Sequence, residues 1–178
     1  MTVGSILIAA VALSIERICY AWVWHYPDIF RRFCGKPAVA WLGEPVDVLK
    51  NLFICFKGLQ LSVFIGWCYF YGNGSLLPAG EEGVWLALGS VLIAVGQVLN
   101  AGVFLQLGKI GVFYGNKLGY DVPWCQGFPF SLLDHPQYVG SALSVWGFFM
   151  TTRFPQDDWY VLPVLQTSYY IAGSYLEQ

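Results

Sequence analysis

Two long uncharged runs constrain this chain more than any other feature of its sequence. Residues 58–80 contain no Asp, Glu, Lys or Arg in 23 positions, and residues 84–107 contain none in 24. A helix crosses the hydrocarbon core of a bilayer in roughly 20 residues. Charged residues make up 11% of the 178 positions, whereas soluble domains carry about 25%. The sequence therefore predicts a polytopic membrane protein.

Further apolar segments complete the predicted bundle. One runs from about residue 3 to residue 24, and another from about residue 52 to residue 70. Residues 137–152 and 159–176 are uncharged and flank a polar turn that contains a proline, which predicts a C-terminal helical hairpin, with a single bent helix as the alternative. We expect an all-α membrane bundle of about four to five embedded helices in a single domain, residues 1–178.

The distribution of charge sets an expected orientation. Basic residues concentrate in the first polar stretch, at Arg31, Arg32, Lys36 and Lys50. Cytosolic loops carry an excess of Lys and Arg, so this stretch is predicted to be cytosolic. Lys117, Cys125 and Glu177 should then lie on the same side, and Glu81 on the other. Nothing basic precedes the first apolar segment, which we therefore expect to be a retained anchor rather than a signal peptide.

Composition also argues against several classes of site. The net charge of −2 gives no basic stripe for nucleic acid. The five cysteines form no C-x-x-C pair and no cluster with histidine, so neither a disulfide framework nor a metal site is expected. Glu16 and Arg17 interrupt the first apolar segment. We interpret them as a structural polar contact, with Arg17 snorkelling to the near interface.

Glycines recur beyond the third apolar segment, at Gly108, Gly111, Gly115 and Gly119. Spacings of three and four place them on one face of a helix. Close helix packing of the small-xxx-small kind is the favoured interpretation, and a ligand lying against bare backbone is the alternative. Upstream, Gln97 and Asn100 add amides to an apolar helix, and buried amides need polar partners.

A polar cluster precedes the last two apolar segments. Pro136 suits the first turn of a helix, with Asp134 or His135 as its cap. Capping and an interfacial position explain Asp134 and Tyr138, but not His135, which is one of two histidines. Histidine is the residue type most often used to carry protons near physiological pH. Glu177 follows 18 uncharged residues. Acids at membrane depth are candidates for function.

At these residues the sequence resembles the phospholipid N-methyltransferases, and more narrowly their plant and fungal branch, which makes phosphatidylcholine from phosphatidyl-N-methylethanolamine. The resemblance covers residues 84–178 well and rests on Gly96-Gln97-Val98-Leu99-Asn100, Leu107-Gly108-x-x-Gly111-x-Phe113-Tyr114-Gly115, Phe128-Pro129-Phe130 and Asp134-His135-Pro136-Gln137-Tyr138-Val139-Gly140. The His-Pro-x-Tyr-x-Gly element is shared with isoprenylcysteine carboxyl methyltransferases.

The resemblance implies an S-adenosylmethionine (SAM) site in the half 84–178, after N-terminal helices in 1–83, and a multi-pass enzyme of the endoplasmic reticulum membrane that methylates a phospholipid. Ala94-Val95-Gly96 aligns with a G-x-G cofactor motif and Leu176-Glu177 with a Glu-Glu pair, and each has lost its first member. The implied cofactor contacts are Ala94, Val95, Gly96, Asn100, Gly108, Gly111, Gly115, His135, Pro136, Tyr138, Gly140, Leu176 and Glu177. The implied catalytic residues are His135, Asp134 and Tyr138.

Methyl transfer to an amine sets its own chemical requirement. Only the neutral amine attacks, and an alkyl ammonium resembles lysine, whose reference pKa is about 10.4. His135, Asp134 and Glu177 are candidate proton acceptors. Aromatic faces suit a sulfonium or a methylated ammonium. The alternatives are an enzyme of the same superfamily that methylates a prenylcysteine carboxylate, or a non-catalytic lipid-binding or scaffold protein.

Overall fold

The computed structural model describes residues 2–72, 74, 83–123 and 125–177. Within these ranges the chain is all-α and contains no strand, as expected. The helices are α1 (Val3–His25), α2 (Pro27–Cys34), α3 (Pro37–Ala40), α4 (Pro45–Tyr71), α5 (Gly83–Val112), α6 (Pro136–Thr152) and α7 (Val161–Leu176). The C-terminal hairpin is confirmed, since α6 and α7 are separate helices that pack together. The alternative of a single bent helix is wrong.

Three of the described helices are long and apolar enough to cross a membrane. They are α1, α4 and α5, with 23, 27 and 30 residues. α4 begins seven residues before the expected start at residue 52, because Pro45 occupies its first turn and Glu44 its N-cap position. α6 and α7 are shorter, with 17 and 16 residues. At about 1.5 Å per residue, each is shorter than a hydrocarbon core of about 30 Å.

The five long helices pack as an arc rather than a closed ring. α4 packs on α1, α1 on α7, α7 on α6 and α6 on α5, whereas α4 and α5 do not pack closely on each other. Two apolar cores fill the arc, one around Val23, Phe30 and Leu49 and the other around Phe149 and Leu162. The open side of the arc therefore lies between α4 and α5.

Glycines join α5 to α6 along a close seam that the sequence analysis missed. A Cβ on Gly96 would lie 2.4 Å from the Gly140 carbonyl oxygen, and one on Gly89 would lie 2.8 Å from that of Gly147. The signal was present in the sequence, since the glycines of each pair on one helix are seven residues apart. Two turns of a helix separate residues at that spacing, so both glycines lie on the same face.

The later glycine run does not form the packing face expected of it. Gly108 breaks the helical path with φ 61° and ψ −175°, and Gly119 has φ 90°. A Cβ on Gly115 would lie 2.6 Å from the Ile110 carbonyl oxygen, because the chain turns back on itself after α5. The expectation that Gly108, Gly111, Gly115 and Gly119 share one helical face is wrong, since positive φ ends a helix.

The glycine seam generates a prediction about stability. Gly147→Ala should lower the free energy of unfolding by about 1–3 kcal/mol, the usual cost of overpacking. The added Cβ would lie 2.5 Å from the Gly89 carbonyl oxygen, and backbone cannot move aside cheaply. Gly58→Ala is the matched control, because nothing lies within 4 Å of its Cβ position. Unfolding midpoints in the same detergent compare the two variants, and equal midpoints would contradict a tight seam.

Candidate functional site

The polar ends of α4, α5 and α7 meet at one end of the bundle. Tyr114, just beyond α5, donates a hydrogen bond of 2.6 Å to Oε1 of Glu177 at the end of α7. Lys109 Nζ lies 2.8 Å from Asp47 Oδ1 at the start of α4. The expectation that Glu177 shares a side with the polar segment before Pro136 is confirmed. The cytosolic assignment of that side stays a prediction, and Glu81 lies outside the described residues.

A cavity of about 150 Å³ opens at this end. It brings together most of the polar cluster singled out in the sequence with the distant C-terminal acid, namely Asp134, His135, Pro136, Tyr138 and Glu177. Helices α1 and α4 add residues that the sequence analysis had not assigned to the site, namely Arg17, Tyr20 and Phe53. Aromatic faces from Phe113, Tyr114 and Phe130 complete the lining. We call this the first cavity.

Glu177 occupies a position that helix stability does not explain. It is the C-cap residue of α7, where the helix dipole disfavours a carboxylate. Tyr114 reaches it from the left-handed region of φ, at φ 56°, a strained conformation for a residue other than glycine. Burial and the nearby Glu177 carboxylate raise the pKa of the Tyr114 hydroxyl well above its usual value. Tyr114 therefore remains a proton donor at neutral pH and orients the Glu177 carboxylate at the first cavity.

Arg17 does not snorkel to the interface, and that interpretation is wrong. Its side chain is 11% exposed, and Nη2 lies 2.6 Å from Glu16 Oε1. The guanidinium carbon lies 5.1 to 5.5 Å from the ring centroids of Tyr20, Tyr138 and Tyr170. Pairing with a buried acid and three aromatic faces compensates the charge inside the bundle better than reaching for water. The expected polar contact between Glu16 and Arg17 is confirmed.

Two polar atoms around the first cavity are buried without a hydrogen-bond partner among the described residues. They are Nε of Arg17 and the hydroxyl of Tyr20. Buried polar groups are almost always satisfied by protein, water or ligand. Donors left open at a cavity that also holds Glu177 indicate a site for a polar ligand that carries both negative and positive groups.

His135 is the N-cap residue of α6 by position but not by chemistry. Its side chain makes no capping hydrogen bond, so the interpretation of that side chain as a cap is wrong. Asp134 precedes the cap position rather than occupying it. Both side chains are exposed where they line the first cavity, and the His135 ring centroid lies 6.0 Å from that of Tyr138. The imidazole is therefore accessible to a ligand in the cavity.

The remaining residues implied by the resemblance lie elsewhere in the fold. Gly96 and Gly140 pack against each other in the glycine seam, and Ala94, Val95 and Leu176 are exposed on α5 and α7. Gly108, Gly111 and Gly115 shape the turn whose neighbours, among them Leu107, Val112 and Tyr114, line the first cavity. Asn100 lines a second, adjoining cavity. The role of these residues as cofactor contacts stays a prediction.

The second cavity holds about 430 Å³ and lies among α4, α5 and α6. It shares five lining residues with the first, namely Phe53, Val103, Val112, Phe113 and Gln137. Its other walls combine aromatic rings with amides, hydroxyls and the ammonium of Lys57. A cavity with a mixed polar and apolar lining and a larger, mostly apolar one are thus adjacent.

Comparison with known proteins decides the family. The sequence model of the family described as phospholipid methyltransferase matches residues 84–178. The chain is 30% identical over 139 residues to the phosphatidyl-N-methylethanolamine N-methyltransferase of Arabidopsis thaliana, which covers 78% of this chain and 75% of that protein. The chain belongs to the phospholipid methyltransferase family. No solved structure matches it.

A second relative in the phospholipid methyltransferase family matches a shorter stretch. The phosphatidyl-N-methylethanolamine N-methyltransferase of Saccharomyces cerevisiae is 38% identical over 72 residues, which is 40% of this chain and 34% of that protein. The family match begins at α5. The first cavity extends beyond it, because Arg17, Tyr20 and Phe53 come from the N-terminal half of the chain.

Proposed function

We propose that this chain uses SAM to methylate phosphatidyl-N-methylethanolamine and then its dimethyl product, which yields phosphatidylcholine. One observation carries the proposal: His135, Glu177, Tyr114 and Arg17 converge on one cavity in a member of the phospholipid methyltransferase family. The two relatives named for this substrate support the choice of acceptor. The endoplasmic reticulum membrane, implied by the resemblance to the plant and fungal branch, is part of the proposal.

The residues of the first cavity fit SAM by the chemistry of their polar groups. Glu177 suits an ammonium, and the open Nε–H of Arg17 suits a carboxylate, through charge-assisted hydrogen bonds. The rings of Tyr114 and Tyr138 offer faces to a sulfonium. Ligands of this size occupy cavities of about 300–1,000 Å³, so we expect SAM to extend beyond the enclosed part of the first cavity. Bound there, SAM supplies an electrophilic methyl group.

The chain must hold the acceptor amine in line with that methyl group and dispose of one proton. Nitrogen forms a bond to the methyl carbon as the carbon–sulfur bond breaks, and the neutral thioether leaves. Correct alignment is worth roughly 7–11 kcal/mol of the barrier, so positioning is the larger contribution. We infer that His135 accepts the proton, directly or through water, and the accessibility of its side chain from the cavity supports this role.

A transfer assay tests the proposal as a whole. Purified protein in phosphatidylcholine-free vesicles receives labelled SAM with phosphatidylethanolamine, its monomethyl form or its dimethyl form. We expect label in lipid with the monomethyl and dimethyl acceptors. Transfer to a prenylcysteine carboxylate in place of the lipids would redirect the assignment to another acceptor. Failure to bind SAM in detergent would support a non-catalytic lipid-binding protein.

Glu177→Gln should weaken SAM binding far more than lipid binding. The change removes the charge that pairs with the cofactor's ammonium, and a charge-assisted hydrogen bond is worth roughly 1.5–3 kcal/mol, or about 10- to 150-fold in Kd. Titration of purified protein with SAM measures the effect. Glu44→Gln is the matched control, because Glu44 binds Tyr120 outside the first cavity. Unchanged SAM affinity in Glu177→Gln would remove Glu177 from the site.

His135→Ala tests the role of the imidazole in proton transfer. If His135 accepts the amine proton, the rate at saturating substrates rises with pH as histidine loses its proton, and the substitution removes that rise. We expect kcat to fall by about 10²–10⁴-fold with SAM affinity nearly unchanged. His25→Ala, in the last turn of α1, is the control. A scaled pH profile that overlays the parent would eliminate the base role and leave positioning as the function of His135.

A further inference from the structure

The second cavity lies at the open side of the helix arc. α4 forms one wall and α5 with α6 forms the other, and α4 and α5 do not pack closely on each other. Phe104 on α5 and Leu61 on α4, both of which line this cavity, are 50% and 51% exposed. A ligand in the cavity can therefore enter and leave sideways from the bilayer, as a lipid must.

Lys57 is the single cationic side chain that lines the second cavity among the described residues. Its Nζ has two polar partners, because it lies 2.9 Å from Gln60 Oε1 and 3.2 Å from Glu16 Oε1. The ring centroids of Phe53 and Tyr170 lie 5.3 and 5.8 Å away. The side chain nevertheless keeps 30% exposure. Its ammonium is held in place, and part of the side chain remains accessible.

The cavity is polar near Lys57 and apolar farther from the first cavity. Gln60 Oε1 lies 2.9 Å from Lys57 Nζ, and Asn100 and Ser141 add an amide and a hydroxyl to the cavity wall. Phe64 on α4 and Phe148 on α6 stack at 6.1 Å between centroids, farther along both helices. Such a gradient matches a molecule with a charged head and hydrocarbon chains, rather than a purely apolar ligand or a soluble anion.

We propose that the second cavity binds the acceptor phospholipid and that Lys57 binds its phosphodiester. The inference deepens the proposed function and rests on it. With the phosphodiester at Lys57, the headgroup amine extends past Gln137, which lines both cavities, toward the first cavity. The acyl chains extend along the apolar wall and leave between α4 and α5.

The ion pairs around Glu16 leave Lys57 able to bind an anion. Arg17 Nη2 lies 2.6 Å from Glu16 Oε1, whereas Lys57 Nζ lies 3.2 Å away. Glu16 is 4% exposed and remains neutralised by Arg17 when Lys57 turns toward a phosphate. Ammonium groups bind phosphate oxygens through charge-assisted hydrogen bonds. One carboxylate and two cations leave one positive charge over, which the lipid phosphate neutralises.

Binding of a matched pair of short-chain lipids tests this site. The probes are dihexanoylphosphatidylcholine, which carries the product headgroup, and dihexanoylglycerol, which has the same chains and lacks both the phosphate and the choline. Lys57→Gln should raise the Kd of the phosphatidylcholine about 10-fold or more and leave that of the dihexanoylglycerol and of SAM unchanged. Lys57→Arg keeps the charge and should retain most of the affinity. Lys36→Gln is a matched change outside both cavities, and it should bind both lipids with the same Kd as the parent.

Each outcome separates the lipid site from the proposed function. Equal weakening of both lipids, or of SAM, by Lys57→Gln would mean that Lys57 supports the fold around Glu16, and it would overturn the inference. Displacement of the phosphatidylcholine by inorganic phosphate at similar concentration would indicate a general anion site and also overturn it. Loss of the phosphodiester preference in Lys57→Gln, in a protein that transfers no methyl group, would support the lipid site and reject the methyltransferase function. If the protein transfers methyl groups and Lys57→Gln leaves lipid binding unchanged, the methyltransferase function would stand and the lipid site at Lys57 would be rejected.

Discussion

The buried carboxylate of Glu16 is the interaction on which both cavities depend. It is 4% exposed inside a membrane-spanning helix, and two cations reach it, Arg17 at 2.6 Å and Lys57 at 3.2 Å. Removing one partner of a buried ion pair costs about 3–5 kcal/mol, because the remaining charge is left uncompensated. Arg17 lines the first cavity and Lys57 the second. A single acid therefore fixes the cationic group of each site and holds α1 against α4.

The glycine seam explains why there is room for a second cavity. Gly89 and Gly96 bring the backbone of α5 against α6 at Gly147 and Gly140. Close approach of two helices gains van der Waals contact, which is the main attraction available to helices within lipid. α5 is thereby held on α6 instead of on α4, and the space between α4 and α5 stays open. The same seam accounts for Gly96 and Gly140 without a ligand.

Much of the fold and part of the site follow from the sequence, for reasons that differ by residue. The membrane bundle and its hairpin depend on uncharged length, a local property that the sequence states directly. His135 and Tyr138 lie within one helical turn, so their proximity was also local. The environment of the Arg17 guanidinium was predicted wrongly, because the choice between water at the interface and aromatic rings inside the bundle depends on tertiary packing. The glycines after Gly108 were misread because spacing assumes a continuous helix, and positive φ ends one.

The unequal lengths of the helices give the site its chemical environment. α6 begins at Pro136, and its second residue, Gln137, lines the same cavity as Lys57, the thirteenth residue of α4. The polar end of α6 therefore lies level with the middle of a long apolar helix, in a recess below the start of α4. An ammonium drawn into such a recess loses hydration, which lowers its pKa and favours the neutral, reactive amine. Each methylation makes the headgroup more apolar, and the aromatic walls suit the permanent cation that results. In the proposed reaction, desolvation in the recess would supply part of the deprotonation, and His135 would have only to receive the proton.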